Sequence, residues 1–182
     1  MNACAFVVGP RNGPAAAIHD LATRVGFETV LPYAGVADAE RQARQTPLCF
    51  FLFAEVPRLR QLAGPTQAIR VSASDSIRFS PLIYLCRRAP VEMIRGLIDM
   101  GFDDVITEPF DQQRVMPRLA RQIDQHLFYF ETPNYFGPDR RSGENRGHGV
   151  DQTGQHDFRR IEIVRHFTTG VDVLSNDMQF VV

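Results

Sequence analysis

Two runs in this chain, Leu48–Phe53 (LCFFLF) and Pro81–Cys86 (PLIYLC), are apolar at consecutive positions rather than at alternate ones. A strand with one wet face alternates. A strand that is apolar on both faces has to be covered on both, which is the condition of a central strand in a parallel sheet. The flanking segments supply the cover. Ile18, Leu21, Ala22 and Val25 recur at helical spacing over 14–25, with Asn12 placed to cap that helix, Pro14 in its first turn and Gly26 just past its end. Further strands are expected at Ala5–Val8, Glu28–Tyr33 and Val105–Thr107. Helices are expected at Val36–Gln45, at Val91–Met100, and from Asp111 as cap to about Phe130. Pro117 should kink that last helix or delay its start. Residues 58–80 read as a helix broken near Gly64-Pro65, followed by an irregular serine-rich stretch. Five β–α units with short connections predict an α/β fold over residues 1–130, a flavodoxin-like doubly wound five-stranded parallel sheet of order 2-1-3-4-5.

From about Glu131 the character changes. Gly and polar residues dominate 137–157, which reads as a flexible linker. The C-terminal extension over 131–182 also holds short strand-like pieces at Arg160–Val164, Val171–Leu174 and Gln179–Val182. These are too few for a core of their own. They dock on the main domain, pair with a partner, or stay disordered. The aromatic run Leu127-Phe128-Tyr129-Phe130, with Tyr135 and Phe136 close behind, cannot face one core if it is helical. Either the tail covers it or a second protein does.

Charge and cysteine content exclude several classes of function. The 182 residues carry a formal net charge of −1, which gives no bulk attraction for nucleic acid or an acidic membrane. From Tyr129 onward there are eight acidic residues against six basic ones, so the arginine-bearing tail gives nucleic acid little footing. No apolar run reaches the roughly 18 residues of a membrane helix, and the N-terminus has no basic region leading to a cleavage site. Cys4, Cys49 and Cys86 are widely spaced, which suits buried strands in a reducing cytoplasm. The five histidines show no metal spacing, and Gly9-Pro10-Arg11-Asn12-Gly13-Pro14 lacks the glycine pattern and the amide donors of a phosphate cradle. No nucleophile–base set appears, so no enzyme, cofactor or metal centre is expected.

The segment Gly101–Phe110 (GFDDVITEPF) resembles the last-strand signature of bacterial response-regulator receiver domains, in which Gly-x-Asp-Asp leads into a strand and then Lys-Pro-Phe. The resemblance spans roughly residues 4–128, and Pro57 fits its third-strand pattern Asp-x-x-Met-Pro. It implies a two-component signalling module whose chemistry sits at five positions, and here all five differ. Gly9 and Pro10 stand at the acidic pair, Phe53 at the phosphoacceptor aspartate, Cys86 at the small hydroxyl residue and Glu108 at the lysine. The whole chain contains no lysine, all 20 of its basic residues being arginine. Mg²⁺ needs oxygen ligands that Gly9, Pro10 and Phe53 do not offer, and Phe53 carries no nucleophile. A slipped register would offer Glu55 as acceptor, against the spacing of Pro57. The resemblance implies a degenerate pseudo-receiver, a phosphorylation-independent, non-catalytic adaptor that works by protein–protein interaction with a signalling partner.

In the family, the face made by the fourth helix, fifth strand and fifth helix commonly dimerises. Here it falls near Val91–Phe130, so a homodimer is expected, with Phe128, Tyr129, Tyr135, Phe136, Arg140 and Arg141 as candidate contacts. The alternative is a sensor of a small molecule, such as a nucleotide or cyclic dinucleotide, in the crevice at the carboxyl ends of the strands, lined by Phe53, Cys86 and Glu108. Arg140-Arg141 and Arg159-Arg160 faintly resemble the arginine motif of PilZ domains, which bind cyclic di-GMP, but the companion Asp-x-Ser-x-x-Gly is absent.

Overall fold

The computed structural model describes residues 1–10, 13–140 and 157–180. Five parallel strands, β1 (Cys4–Val8), β2 (Thr29–Pro32), β3 (Cys49–Ala54), β4 (Leu82–Cys86) and β5 (Asp104–Thr107), form a sheet of order β2-β1-β3-β4-β5. This is the flavodoxin-like arrangement expected from the sequence. Strand β3 shows why consecutive apolar residues were needed. Phe50, Leu52 and Ala54 enter one core with helices α1 (Pro14–Arg24) and α6 (Gln112–Ala120). Cys49, Phe51 and Phe53 enter the other, with α2 (Val36–Ala43), α3 (Arg60–Arg70) and α5 (Val91–Asp99). All six residues of β3 are buried.

Several local expectations need correction. Helix α3 runs unbroken through Gly64-Pro65. The ring of a proline normally crowds the Cβ of the residue before it, and Gly64 has none, so the helical conformation survives there. A short α4 (Asp75–Arg78) occupies part of the stretch expected to be irregular. The cap of α6 is as expected, Asp111 accepting a hydrogen bond from the Arg114 N–H at 2.8 Å. That helix nevertheless ends at Ala120, not near Phe130. Asp124 adopts a left-handed φ of 53°, its N–H donates to the Arg165 carbonyl at 2.9 Å, and the chain turns away.

The residues that follow form a second sheet. Strands β6 (Leu127–Thr132), β7 (Tyr135–Pro138), β8 (Phe158–His166) and β9 (Gly170–Gln179) are antiparallel in order β7-β6-β8-β9. Gly137 and Pro138, expected in a linker, are thus in a strand. The proposed cap Asn12, Arg141, most of the expected linker and Val181–Val182 lie outside the described residues. The aromatic run belongs to a strand, and its side chains divide between two faces. The described part of the tail docks on the main domain.

The second sheet sits against the amino ends of the parallel strands, and Asp103 joins the two. Its side chain is 3% exposed. One carboxylate oxygen accepts from Arg70 at 2.7 Å and from the Leu82 N–H at 2.8 Å. The other accepts from Arg165 of β8 at 2.9 Å and from the Tyr129 hydroxyl of β6. The guanidinium groups are satisfied elsewhere too. Arg70 donates to the carbonyls of Arg78 at 2.8 Å, Ser80 at 3.0 Å and Gly101 at 2.6 Å. Arg165 donates to the Phe79 carbonyl at 2.8 Å and to Gln122 Oε1 at 2.9 Å. Around this polar centre Phe79, Tyr129, Ile161 and Ile163 make a third apolar cluster. Gly101, at φ +81°, touches the Phe136 carbonyl of β7 so closely that a Cβ would clash with it.

Burial alone would raise the pKa of Asp103. The facing charges of Arg165 and Arg70, with the Tyr129 and Leu82 hydrogen bonds, outweigh it and hold the carboxyl below the ordinary range. The stabilisation this brings is complete above the unfolded-state value of about 4 and is lost as pH falls through the lower folded value. Asp103→Asn leaves two buried guanidinium groups without their counter-charge and is expected to cost about 3–5 kcal/mol in denaturant unfolding. The acid-induced fall in stability below about pH 4 should be shallower in that variant than in the parent.

Candidate functional site

Strand polarity brings the ends of β1, β3, β4 and β5 to one edge of the domain, where doubly wound sheets leave a crevice. Here that crevice is a cleft of about 700 Å³ lined by Pro10, Glu55, Val56, Cys86, Arg87, Glu108 and Phe110, with Ile18 of α1. Three of the five positions singled out in the sequence therefore meet: Pro10, Cys86 and Glu108. The other two do not line it. Gly9, at φ +154°, packs on Ala54 so tightly that a Cβ would lie 2.9 Å from the Ala54 Cβ. A side chain there would have to displace the end of β3.

The expectation that Phe53 lines the crevice is corrected. Its ring is fully buried on the α2–α3–α5 side of the sheet, packed edge-on against Phe102 with centroids 4.8 Å apart. Val8 and Tyr84 flank it in register on the neighbouring strands. Glu55, two residues on, occupies the cleft instead. The Val56 N–H donates to the Tyr84 hydroxyl at 3.3 Å, which fixes the turn after β3. Glu55 Oε2 then accepts from the backbone N–H and the Nε of Arg87, both at 3.3 Å. Glu108 follows β5, and its peptide to Pro109 is cis.

Among the described residues the cleft thus presents two carboxylates and one mostly exposed guanidinium, the Arg87 side chain being 76% exposed. A like charge about 4 Å away opposes an incoming anion by about 4 kcal/mol at an effective dielectric near 20. Cys86 is 1% exposed, and burial, with Glu55 and Glu108 adding to it, pushes its thiol up to about 11. It is a packed thiol and not a thiolate. Among the described residues, no group of three or more His, Cys, Asp and Glu is placed to hold a metal ion.

The aromatic and arginine residues near the second sheet have separate fates. Tyr129 is fully buried, and Phe136 packs against Phe79 and Tyr129 at centroid distances of 5.4 and 5.6 Å. Tyr129 therefore presents no surface to a partner, which corrects its place among the candidate contacts. Tyr135 packs against Phe130 with the rings tilted by 32° and centroids 4.8 Å apart, and burial pushes its hydroxyl up to about 12. Phe128 is half-buried beneath the Arg160 guanidinium, 4.1 Å from its ring centre. Arg140 is exposed, and its guanidinium donates to the Phe102 and Asp103 carbonyls. Sequence reasoning missed Arg70 and Arg165 as internal residues. The faint signal for Arg165 was its position between Val164 and His166 in an apolar-rich strand.

No family model matches the chain, and no curated protein matches it. Among solved structures, the receiver domain of a Pseudomonas aeruginosa PAO1 sensor histidine kinase, described with a magnesium ion coordinated in its active site cleft, is similar with a TM-score of 0.45 and 21% identity. That alignment covers 65% of this chain and 94% of the other. A protein from Chloroflexus aurantiacus J-10-fl, assigned as a response regulator, aligns with a TM-score of 0.46 and 13% identity over the same shares. The class of fold rests on the strand order itself. This is a flavodoxin-like α/β domain carrying a second, antiparallel sheet. Among the described residues, no helix is long and apolar enough to cross a membrane.

The burial of Cys86 has a direct readout. In the native protein near pH 8, all three cysteines, each buried, should resist a thiol reagent and react only at the rate of global unfolding. Rapid labelling of Cys86 alone, mapped by peptide mass, would contradict the packing described above.

Proposed function

We propose that the protein is a non-catalytic signalling adaptor, a pseudo-receiver that acts through protein–protein contact without a phosphorylation switch. The observation that carries this reading is the sign of the cleft. Glu55 and Glu108 line it, while the acceptor-equivalent residue, Phe53, is packed in the core on another side. An acyl phosphate needs a carboxylate nucleophile, a divalent cation and a neighbouring positive charge; here the carboxylate Glu55 is already engaged by Arg87, and the residue after β5 is the carboxylate Glu108.

The contact surface is assigned to the face of α5, β5 and α6, where Val91 and Ile94 are exposed apolar residues, extended by Phe128 and Arg140. Homodimerisation through that face, a signalling protein as partner and a cytoplasmic setting complete the proposal. The second reading, a small-molecule sensor at the carboxyl ends of the strands, draws on the volume of the cleft and on its apolar walls of Ile18, Val56, Leu85 and Phe110.

Incubation with acetyl phosphate or beryllofluoride and Mg²⁺ should leave both the mass and the amide spectrum unchanged. An adduct of one phosphoryl group that depends on Mg²⁺ and is lost in Glu55→Gln would reinstate a slipped acceptor and end the adaptor reading.

A further inference from the structure

We infer that a second cleft, at the opposite end of the domain, is a binding site for a small organic carboxylate of the amino-acid class. The cleft, of about 650 Å³, lies between α3, the end of α5 and the β6–β7 hairpin. Its volume is that of an ordinary small-molecule site. It shares no lining residue with the carboxyl-end cleft, so it stands apart from the sensor reading above.

Two side-chain atoms point to a missing partner. Among the described residues, the buried side-chain polar atoms without a hydrogen bond are Thr66 Oγ1 and Arg78 Nε. Both residues line this cleft. Thr66 is 2% exposed. An orphaned buried donor is costly and rare, and two lining one cleft call for a shared explanation. The Arg78 guanidinium is also held in place before any ligand arrives. It lies 4.0 Å over the Phe136 ring, and its NH2 donates to Glu131 Oε1 at 2.5 Å. Glu131 therefore engages one nitrogen of a fork that can grip a carboxylate with two. A carboxylate in the cleft would meet Arg78 Nε–H and the Thr66 hydroxyl as unpaired donors once small side-chain shifts uncover them, and would satisfy both.

The rest of the lining narrows the class. The lining sets Arg70 and Arg78 against Asp99 and Glu131, so its formal charges balance, which suits a zwitterion better than a dianionic phosphate. Arg78 is on α4 and Glu131 on β6, so a ligand competing for this ion pair acts on a contact between α4 and the second sheet.

The test uses the full chain with the twenty L-amino acids and succinate as probes, and inorganic phosphate as a control. At about a hundred times its Kd, a binding amino acid should raise the melting temperature by about 5 °C. Thr66→Val should abolish that rise without lowering the melting temperature of the unliganded protein, and Arg78→Gln should abolish it too. Amide shifts on binding should be confined to 63–71, 78, 99–100 and 131–136. The inference is overturned if no amino acid shifts the transition, if phosphate does so instead, if Thr66→Val binds as the parent does, or if the amide shifts map to Glu55, Cys86 and Glu108.

Discussion

A carboxylate buried between two guanidinium groups fixes how the two sheets meet. Asp103 draws Arg70 from α3 and Arg165 from β8 onto its two oxygens, and the Tyr129 hydroxyl closes the arrangement from β6. Stripping three charges of water is expensive, and such a group is favourable only where every remaining donor and acceptor finds a partner. Here the carbonyls of Arg78, Phe79, Ser80 and Gly101 supply those partners. A shift of the second sheet would break several of these bonds together, because one side chain serves both layers. The apolar cluster around Tyr129 supplies area without direction, while the ion network supplies direction.

This construction places the second sheet at one end of the parallel sheet, away from the carboxyl-end cleft. The antiparallel strands approach β4 and β5 where those strands begin, and Gly170 lies against Pro47, just ahead of β3. At the carboxyl ends the cleft of Glu55, Cys86 and Glu108 remains uncovered by the second sheet. The added sheet therefore leaves the usual ligand position of a doubly wound fold in place. At that position the described residues present Glu55 and Glu108 with Arg87. The added sheet also brings a second cleft into existence, since its outer wall is the β6–β7 hairpin.

Legibility followed the physics of each signal. Strand β3 and strand β4 were readable because burial on two faces demands apolar residues at every position. Helix α1 was readable from the spacing of Ile18, Leu21 and Ala22. The aromatic run at 127–130 was misread as helix because it lies within two turns of the end of α6, and the turn at Asp124, held by the Arg165 carbonyl from far along the chain, redirects the chain into β6. Helix α3 was misread as broken because proline is usually decisive, and the absent Cβ of Gly64 was the overlooked detail. In the candidate site, Cys86 and Glu108 were placed correctly by following strand ends. Phe53 was not, because residue identity at a strand end does not say to which face the ring turns.

The chain's own letters were sufficient for the parallel sheet and its order, since these follow from local hydrophobic pattern and from the short connections between elements. Tertiary structure alone decided that Asp103, Arg70 and Arg165 are interior residues. Nothing local distinguishes a charged side chain bound for solvent from one bound for a partner 62 positions away. Burial of a charge depends on a counter-charge arriving in space, and that arrival is a property of the assembled fold.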